Sequence, residues 1–252
     1  MAKFDAFGTM LQMGVCQVET AVIVGTITGN GNATFTLTMA GMTGSPIATS
    51  VAVVSGDTPT VVATKAAASL NLVAAITAVC QVMAEGVTVV VTALVAAAND
   101  ATFNLAYTNG TCTGLTPDAT SDNTTAGEAL ATIANVTSFS GPGLSLDTED
   151  VTTHDSTGAW EEVVTTILRT GELTLDIIYD PVDDTHDDAG GLGLVDKLDG
   201  KELGRYTITF PDAASTKWLF SAYVIGFEPG APHDGALTAS VSLKLTGQPT
   251  LA

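Results

Sequence analysis

Through most of the C-terminal half, apolar and polar residues alternate with a period of two. Leu173, Leu175, Ile177 and Tyr179 are separated by more polar neighbours, and Tyr206, Ile208 and Phe210 repeat the pattern. Trp218, Phe220, Ala222 and Val224 follow it too. Leu237, Ala239, Val241, Leu243 and Leu245 alternate with Thr238, Ser240, Ser242, Lys244 and Thr246. Side chains two apart on an extended chain share a face, so each run predicts a half-buried antiparallel strand. One stretch departs from that period. Between Asp188 and Leu198, the residues Leu192, Val195 and Leu198 fall three apart, with Gly200 as a stop, and predict a short helix. Strands closing on one another beside one flanking helix predict a mainly β sandwich or barrel.

The middle of the chain follows a different pattern. Val22–Thr28 and Ala33–Met39 are runs rich in β-branched residues, and the Gly29-Asn30-Gly31-Asn32 between them signals a hairpin. A third run, Ser50–Val54, ends at Ser55-Gly56. In Asp57-Thr58-Pro59, Thr58 is placed to cap a helix and Pro59 suits its first position. Val62, Ala66, Leu70, Val73, Ile76, Cys80 and Met83 then recur every three or four residues, one apolar stripe with a break expected near Asn71. Glu85-Gly86 turns the chain into a strand over Val87–Ala93, and Thr102–Thr108 supplies the last one. The pattern is that of a small α+β domain whose helix buries its stripe against a sheet.

Charge divides the chain at the same places. Residues 15–130 hold seven acids and one base, Lys65, whereas residues 131–252 hold 19 acids, six bases and both tryptophans. Two domains are therefore expected, a discontinuous one over 1–14 and 131–252 and an inserted one over 15–130. The formal net charge of −19 repels phosphate backbones, which excludes nucleic-acid binding by charge neutralisation and disfavours anionic membranes. With 46% hydrophobic residues the chain is expected to fold. Cys16, Cys80 and Cys112 form no metal or disulfide framework and read as buried thiols. The start of the chain lacks the apolar core of a signal peptide, and the uncharged stretch Ala66–Ala84 is too polar to span a bilayer. Synthesis in the host cytoplasm and no membrane insertion are the expectations.

No group of residues builds a catalytic site. In His154-Asp155-Ser156, adjacent residues point to opposite sides and cannot relay a proton. The acidic run Asp183-Asp184-Thr185-His186-Asp187-Asp188 lacks the glycine and distal glutamate of a calcium loop and reads as a solvated cap. Gly190-Gly191-Leu192-Gly193 lacks the lysine and hydroxyl residue of a phosphate loop. No catalytic residue, metal or cofactor is expected.

The segment Val136-Thr-Ser-Phe-Ser-Gly-Pro-Gly-Leu-Ser-Leu-Asp-Thr-Glu-Asp-Val-Thr-Thr-His-Asp-Ser156 resembles the signature of tail tube proteins from long-tailed, non-contractile phages. The resemblance continues through Gly158-Ala-Trp-Glu-Glu162, Leu168-Arg169-Thr-Gly-Glu172 and Ile178-Tyr179-Asp180-Pro181. Phe210-Pro211-Asp212, Ser221-Ala-Tyr-Val224, Gly226-Phe-Glu-Pro229 and Leu237-Thr-Ala-Ser-Val241 follow in order, and Phe7-Gly8-Thr9-Met-Leu11 resembles the family's opening. Residues 15–130 depart from it, standing where the family has a short loop. Through Ser55-Gly-Asp-Thr58, the Ala-rich helix and Asn99-Asp100 they are similar to accessory domains of other virion proteins.

The resemblance implies a tail-tube β-sandwich or barrel, homohexameric rings stacked into a hollow tube, and DNA passing through an acidic lumen without specific binding. It implies a virion location, with tape-measure, tail tip and tail terminator proteins as partners. It assigns ring stacking to the excursion Val151–Thr170, through Asp155, Trp160, Glu161, Glu162 and Arg169, although Trp160 is equally suited to filling its own subunit's core. It assigns subunit docking to Phe4, Phe7 and Leu11, and the inserted domain is expected to project outward. The alternatives are another tube or tail-completion component of the same fold, or host-surface adhesion through the inserted domain. Adhesion to a sugar finds few aromatic platforms there, since Tyr107 is the segment's only tyrosine and tryptophan is absent.

Overall fold

The computed structural model describes residues 8–187 and 192–251. The chain divides into two compact units, Met1–Met13 with Ala131–Ala252, and Gly14–Leu130. Strand β1 (Met10–Val15) comes first. β2 (Val18–Val22), β3 (Gly31–Thr38), β4 (Ile47–Val53), α1 (Pro59–Leu70), α2 (Ala74–Thr77), β5 (Cys80–Glu85), β6 (Thr88–Ala93), β7 (Asn104–Thr108) and β8 (Asp122–Thr125) follow, and β9 (Glu128–Thr132) leads out of the intervening unit.

In that unit a four-stranded sheet, β5-β6-β2-β8, and a three-stranded sheet, β4-β3-β7, share one core with α1. Val62, Ala63, Ala66 and Leu70 of α1 are buried beside Val82, Val89 and Val91 of the first sheet and Phe35, Leu37 and Leu105 of the second. The Phe35 and Tyr107 rings stack at 5.6 Å. Tyr107 is engaged at its polar end as well, donating to the Val22 carbonyl at 2.9 Å and accepting from the Val24 N–H at 3.2 Å. All three cysteines are buried, and burial pushes the Cys80 thiol up to about 11.

Three local expectations are corrected here. Val22–Thr28 is not a strand and 29–32 not a hairpin turn, because β2 stops at Val22 and β3 pairs with β4 and β7. Gly25, with φ +101°, turns the chain where its missing Cβ would lie 2.2 Å from the Gly114 carbonyl. Pro59 does open the helix, but the Thr58 side chain makes no cap bond. Asp57 orders the turn instead, accepting from Lys65 Nζ at 2.5 Å and the Val54 N–H at 2.9 Å, and the lysine holds its carboxyl below the usual range. The helix breaks at Asn71 as expected and Ile76 of α2 continues the stripe into the same core, but Cys80 and Met83 belong to β5. Asn71 closes α1 and donates from Nδ2 to the Val82 carbonyl at 2.8 Å, fixing the chain's return.

The other unit continues with β10 (Val136–Ser140), β11 (Leu144–Asp150), β12 (Val163–Thr170), β13 (Glu172–Ile178), α3 (Leu194–Asp199), β14 (Leu203–Thr209), β15 (Lys217–Gly230) and β16 (Thr238–Leu251). Its sheet runs β10-β13-β16-β15-β14-β1-β9 and curls around the core. The predicted alternation is realised in β13–β16. Leu173, Leu175, Ile177, Tyr206, Ile208, Phe220, Ala222, Val224, Ala239, Val241, Leu243 and Leu245 are all buried, joined by Leu194 of the flanking helix. The pairing of β15 with β16 shifts register near Leu219–Ser221 and Val224–Gly226, bulges that bend two strands of this length. The predicted helix is present as α3 but starts only at Leu194, because Leu192 and the extended Gly193 precede it, and Asp188 lies outside the described residues.

Candidate assembly interface

β10 and β13 form an antiparallel pair, and beyond a crossing the same two chain segments continue as β11 and β12, a ribbon outside the main sheet. Glycines make the crossing. The Gly171 N–H donates to the Gly143 carbonyl at 2.6 Å, and a Cβ on Gly171 would lie 2.7 Å from that oxygen. Gly141, with φ +112°, would place a Cβ 2.6 Å from the Glu172 carbonyl. Thr170 Oγ1 donates to the Leu245 carbonyl at 3.2 Å and ties the ribbon's root to β16.

The ribbon leaves apolar side chains uncovered. Leu146 pairs directly with Leu168, and Leu144 with Thr170, so the three leucines share one face. Leu144 is 53% exposed, Leu146 48%, Ile167 57% and Leu168 78%. The opposite face carries an ion pair between Arg169 Nε and Asp147 Oδ2, two residues on facing strands. A register shift between Leu146 and Thr148 places an extra residue on β12 there, and Thr166 Oγ1 donates to the Asp147 carbonyl at 3.2 Å. A two-stranded ribbon with no covered face gains little from burial and is marginal by itself in water. Its sequence is therefore suited to burying that face on another surface.

The tip is held by turns. The Val151 N–H donates to the Glu162 carbonyl at 2.8 Å, the Glu162 N–H to Thr152 Oγ1 at 2.9 Å, and the Thr153 N–H to Ser156 Oγ at 2.9 Å. Ser156 is thus a turn residue. Thr152 donates to Asp150 and holds its carboxyl below the usual range. Trp160 is 78% exposed, which removes the reading that it fills its own core. Asp155, Glu161, Glu162 and Arg169 are exposed on the same ribbon and tip. Of the three N-terminal residues, Leu11 is 2% exposed in the core of its own unit, and Phe4 and Phe7 lie outside the described residues. Leu144, Leu146, Val163, Val164, Ile167 and Leu168 are exposed apolar residues that the sequence analysis did not single out. Leu144-Ser-Leu146 and the β-branched run from Val163 were the available signals.

A second surface is the uncovered face of the main sheet. Ser138, Thr174, Asp176, Ser240, Ser242 and Lys244 lie there by register, opposite the buried positions. The Asp176 carboxylate accepts from Ser138 Oγ at 2.9 Å and Ser240 Oγ at 2.8 Å, one strand on each side, and Lys244 pairs with Glu172 at 3.2 Å. On these three strands the face is rich in hydroxyls, and Asp176, Glu172 and Lys244 are tied to neighbours.

The acidic loop after β13 is structural. Thr185 donates to Asp183 from its hydroxyl and, at 2.9 Å, from its N–H, holding that carboxyl below the usual range. His186 is fully buried. Its Nδ1 accepts from the Asp180 N–H at 3.2 Å, which leaves Nε2–H to donate to the Ala134 carbonyl at 2.8 Å. Among the described residues no three His, Cys, Asp or Glu side chains cluster as metal ligands, and no helix is long and apolar enough to cross a membrane.

Comparison with known proteins bears on this arrangement. The sequence model of the family described as "Lambda phage tail tube protein, TTP" matches residues 118–252. None of the curated proteins matches the chain by sequence. Among solved structures, a chain of "Virion of native gene transfer agent (GTA) particle" is similar with TM-score 0.41 and 15% identity, covering 49% of this chain and 88% of that one. A chain of "Tail of empty GTA particle computed with helical refinement, C6 symmetry" gives 0.41 and 16%, over 49% and 86%. One from "Cryo-EM structure of the anti-feeding prophage (AFP) baseplate, 6-fold symmetrised" gives 0.38 and 12%, over 52% and 87%.

Proposed function

The chain belongs to the lambda phage tail tube protein family, and from that membership we propose that its copies close into hexameric rings and stack into the hollow tube that conducts phage DNA. It is a structural protein of the virion tail, not an enzyme. The observation that carries the reading is the β11–β12 ribbon with Leu144, Leu146, Ile167 and Leu168 uncovered. A monomer gains nothing from such a surface, whereas a stacked ring buries it. Trp160 at the tip is the apolar anchor of the stacking contact, with Asp155, Glu161, Glu162 and Arg169 around it.

The hydroxyl-rich face of the main sheet lines the channel. A ring carries six times the subunit's formal charge of −19 and so repels phosphate along its whole circumference. On β10, β13 and β16, Asp176 and Glu172 are held by Ser138, Ser240 and Lys244, so this part of the wall presents fixed hydroxyls and a paired lysine. DNA slides because the net negative charge of the ring keeps phosphate off the wall. The tape-measure, tail tip and terminator proteins meet the tube at its lumen and ends.

Negative-stain electron microscopy of the purified protein at rising concentration and salt tests the reading, salt being needed to screen acidic subunits from one another. Rings or hollow tubes are the expected result. A monomer under every condition, persisting after purified tail tips are added, would overturn it.

A further inference from the structure

The intervening unit contains a cleft of about 550 Å³ at the rim of its two sheets, walled by residues of β2, β3, β7 and the segments 100–103 and 120–123. Independently of how the tube assembles, we propose that this cleft is a binding site for a neutral saccharide.

Its chemistry narrows the occupant. Glu19 lines the cleft, yet is only 2% exposed. No base accompanies it, since Lys65 is the only one between residues 14 and 130 and is paired with Asp57. An anionic ligand would therefore meet an uncompensated carboxylate, and phosphates and acidic sugars are disfavoured. A divalent cation fits no better. The second carboxylate of the cleft, Asp100, already accepts from the Ala40 N–H at 2.7 Å and from the Thr102 N–H and hydroxyl at 2.8 and 2.6 Å.

What remains is an array of fixed hydrogen-bonding groups. The Glu19 carboxylate accepts from Gln17 Nε2 at 3.0 Å and Ser121 Oγ at 2.6 Å, which leaves acceptor capacity for incoming hydroxyls. Gln17 is locked in turn, donating to the Asp100 carbonyl at 3.0 Å and accepting its N–H at 2.7 Å. Asn104 Oδ1 accepts from the Ser121 N–H at 2.7 Å while its Nδ2 donates to the Ala119 carbonyl at 2.9 Å, so this amide's orientation is set. Asn123 and Thr38 add further amide and hydroxyl groups. Donors and acceptors held by their own partners suit a ligand whose every hydroxyl both donates and accepts, and the volume is that of a small-molecule site. Phe103, 3% exposed and part of the core, closes the cleft from beneath, so recognition there rests on the polar groups.

Saturation-transfer NMR on the full-length protein tests the site with glucose, galactose, N-acetylglucosamine and cellobiose, and with N-acetylneuraminate and calcium chloride as counter-probes. Transfer to at least one neutral sugar is expected, weakened about tenfold by Glu19→Gln. Should that variant unfold, Asn123→Ala at the exposed rim gives the same reading with the core intact. The proposal is overturned if no neutral sugar binds, if both variants bind as the parent does, or if only the acidic sugar or calcium binds.

Discussion

Two antiparallel hairpins of similar strand length have opposite fates in this molecule. β5–β6 turns at Gly86-Val87 and alternates along both strands, placing Cys80, Val82, Val89 and Val91 under α1. β11–β12 is as rich in aliphatic side chains, yet all of its large apolar residues are exposed. The difference is not one of strand propensity. It is whether the same chain supplies a cover, which separates a hairpin that completes a core from one whose apolar side chains stay exposed.

Substitution breaks the two in different ways. Val91→Asp places a charge in the intervening unit's core without a partner and is expected to cost about 4 kcal/mol. Its thermal melt should show that unit lost, and an unchanged melt would contradict a shared core between α1 and both sheets. Charging the ribbon's leucine face with Leu146→Asp and Leu168→Asp together is expected to change stability by less than about 0.5 kcal/mol, because these positions are exposed. Tubes should nonetheless disappear from micrographs. Normal tubes from this double variant would detach the ribbon from stacking. The smallest effect is expected from Arg169→Ala, whose pair with Asp147 is largely solvated. The protein concentration at which tubes appear should rise no more than about twofold, measured by turbidity. A much larger rise would mean that Arg169 contacts the neighbouring ring as well as Asp147.

The hairpins also differ in how far the sequence exposes them. Where one face is buried, as in β13 and β16, alternation between Leu173–Ile177 and Ala239–Leu245 is enough to place the strand and its inward side. β11 reads Leu-Ser-Leu-Asp-Thr-Glu-Asp, and its partner groups Val163-Val164 and Ile167-Leu168, because no core within the chain selects the inward set. The resemblance to tube proteins located that excursion and its polar residues, while the leucine face emerged only when register put Leu146 against Leu168. Failures in the intervening unit have another cause. The Gly29–Asn32 hairpin is a local signal overridden by a contact distant in sequence, Gly25 against Gly114, whereas the break at Asn71 was legible and only the strand that takes up Cys80 and Met83 was not. The cleft was invisible for the same reason, since Gln17, Glu19, Asp100 and Ser121 meet only through the two sheets.

The crossing at Gly143 and Gly171 has a mechanical consequence. Because β12 runs directly into β13, tension applied to the ribbon acts along the axis of β13, which is hydrogen-bonded to β10 on one side and to β16 on the other. A strand loaded lengthwise between two neighbours resists in shear, with its hydrogen bonds sharing the force rather than yielding one at a time. At the root of that load path the two glycines let the strands cross in contact, with the Gly171 N–H bonded to the Gly143 carbonyl. A pull on the ribbon therefore passes straight into the sheet, where two neighbouring strands share it.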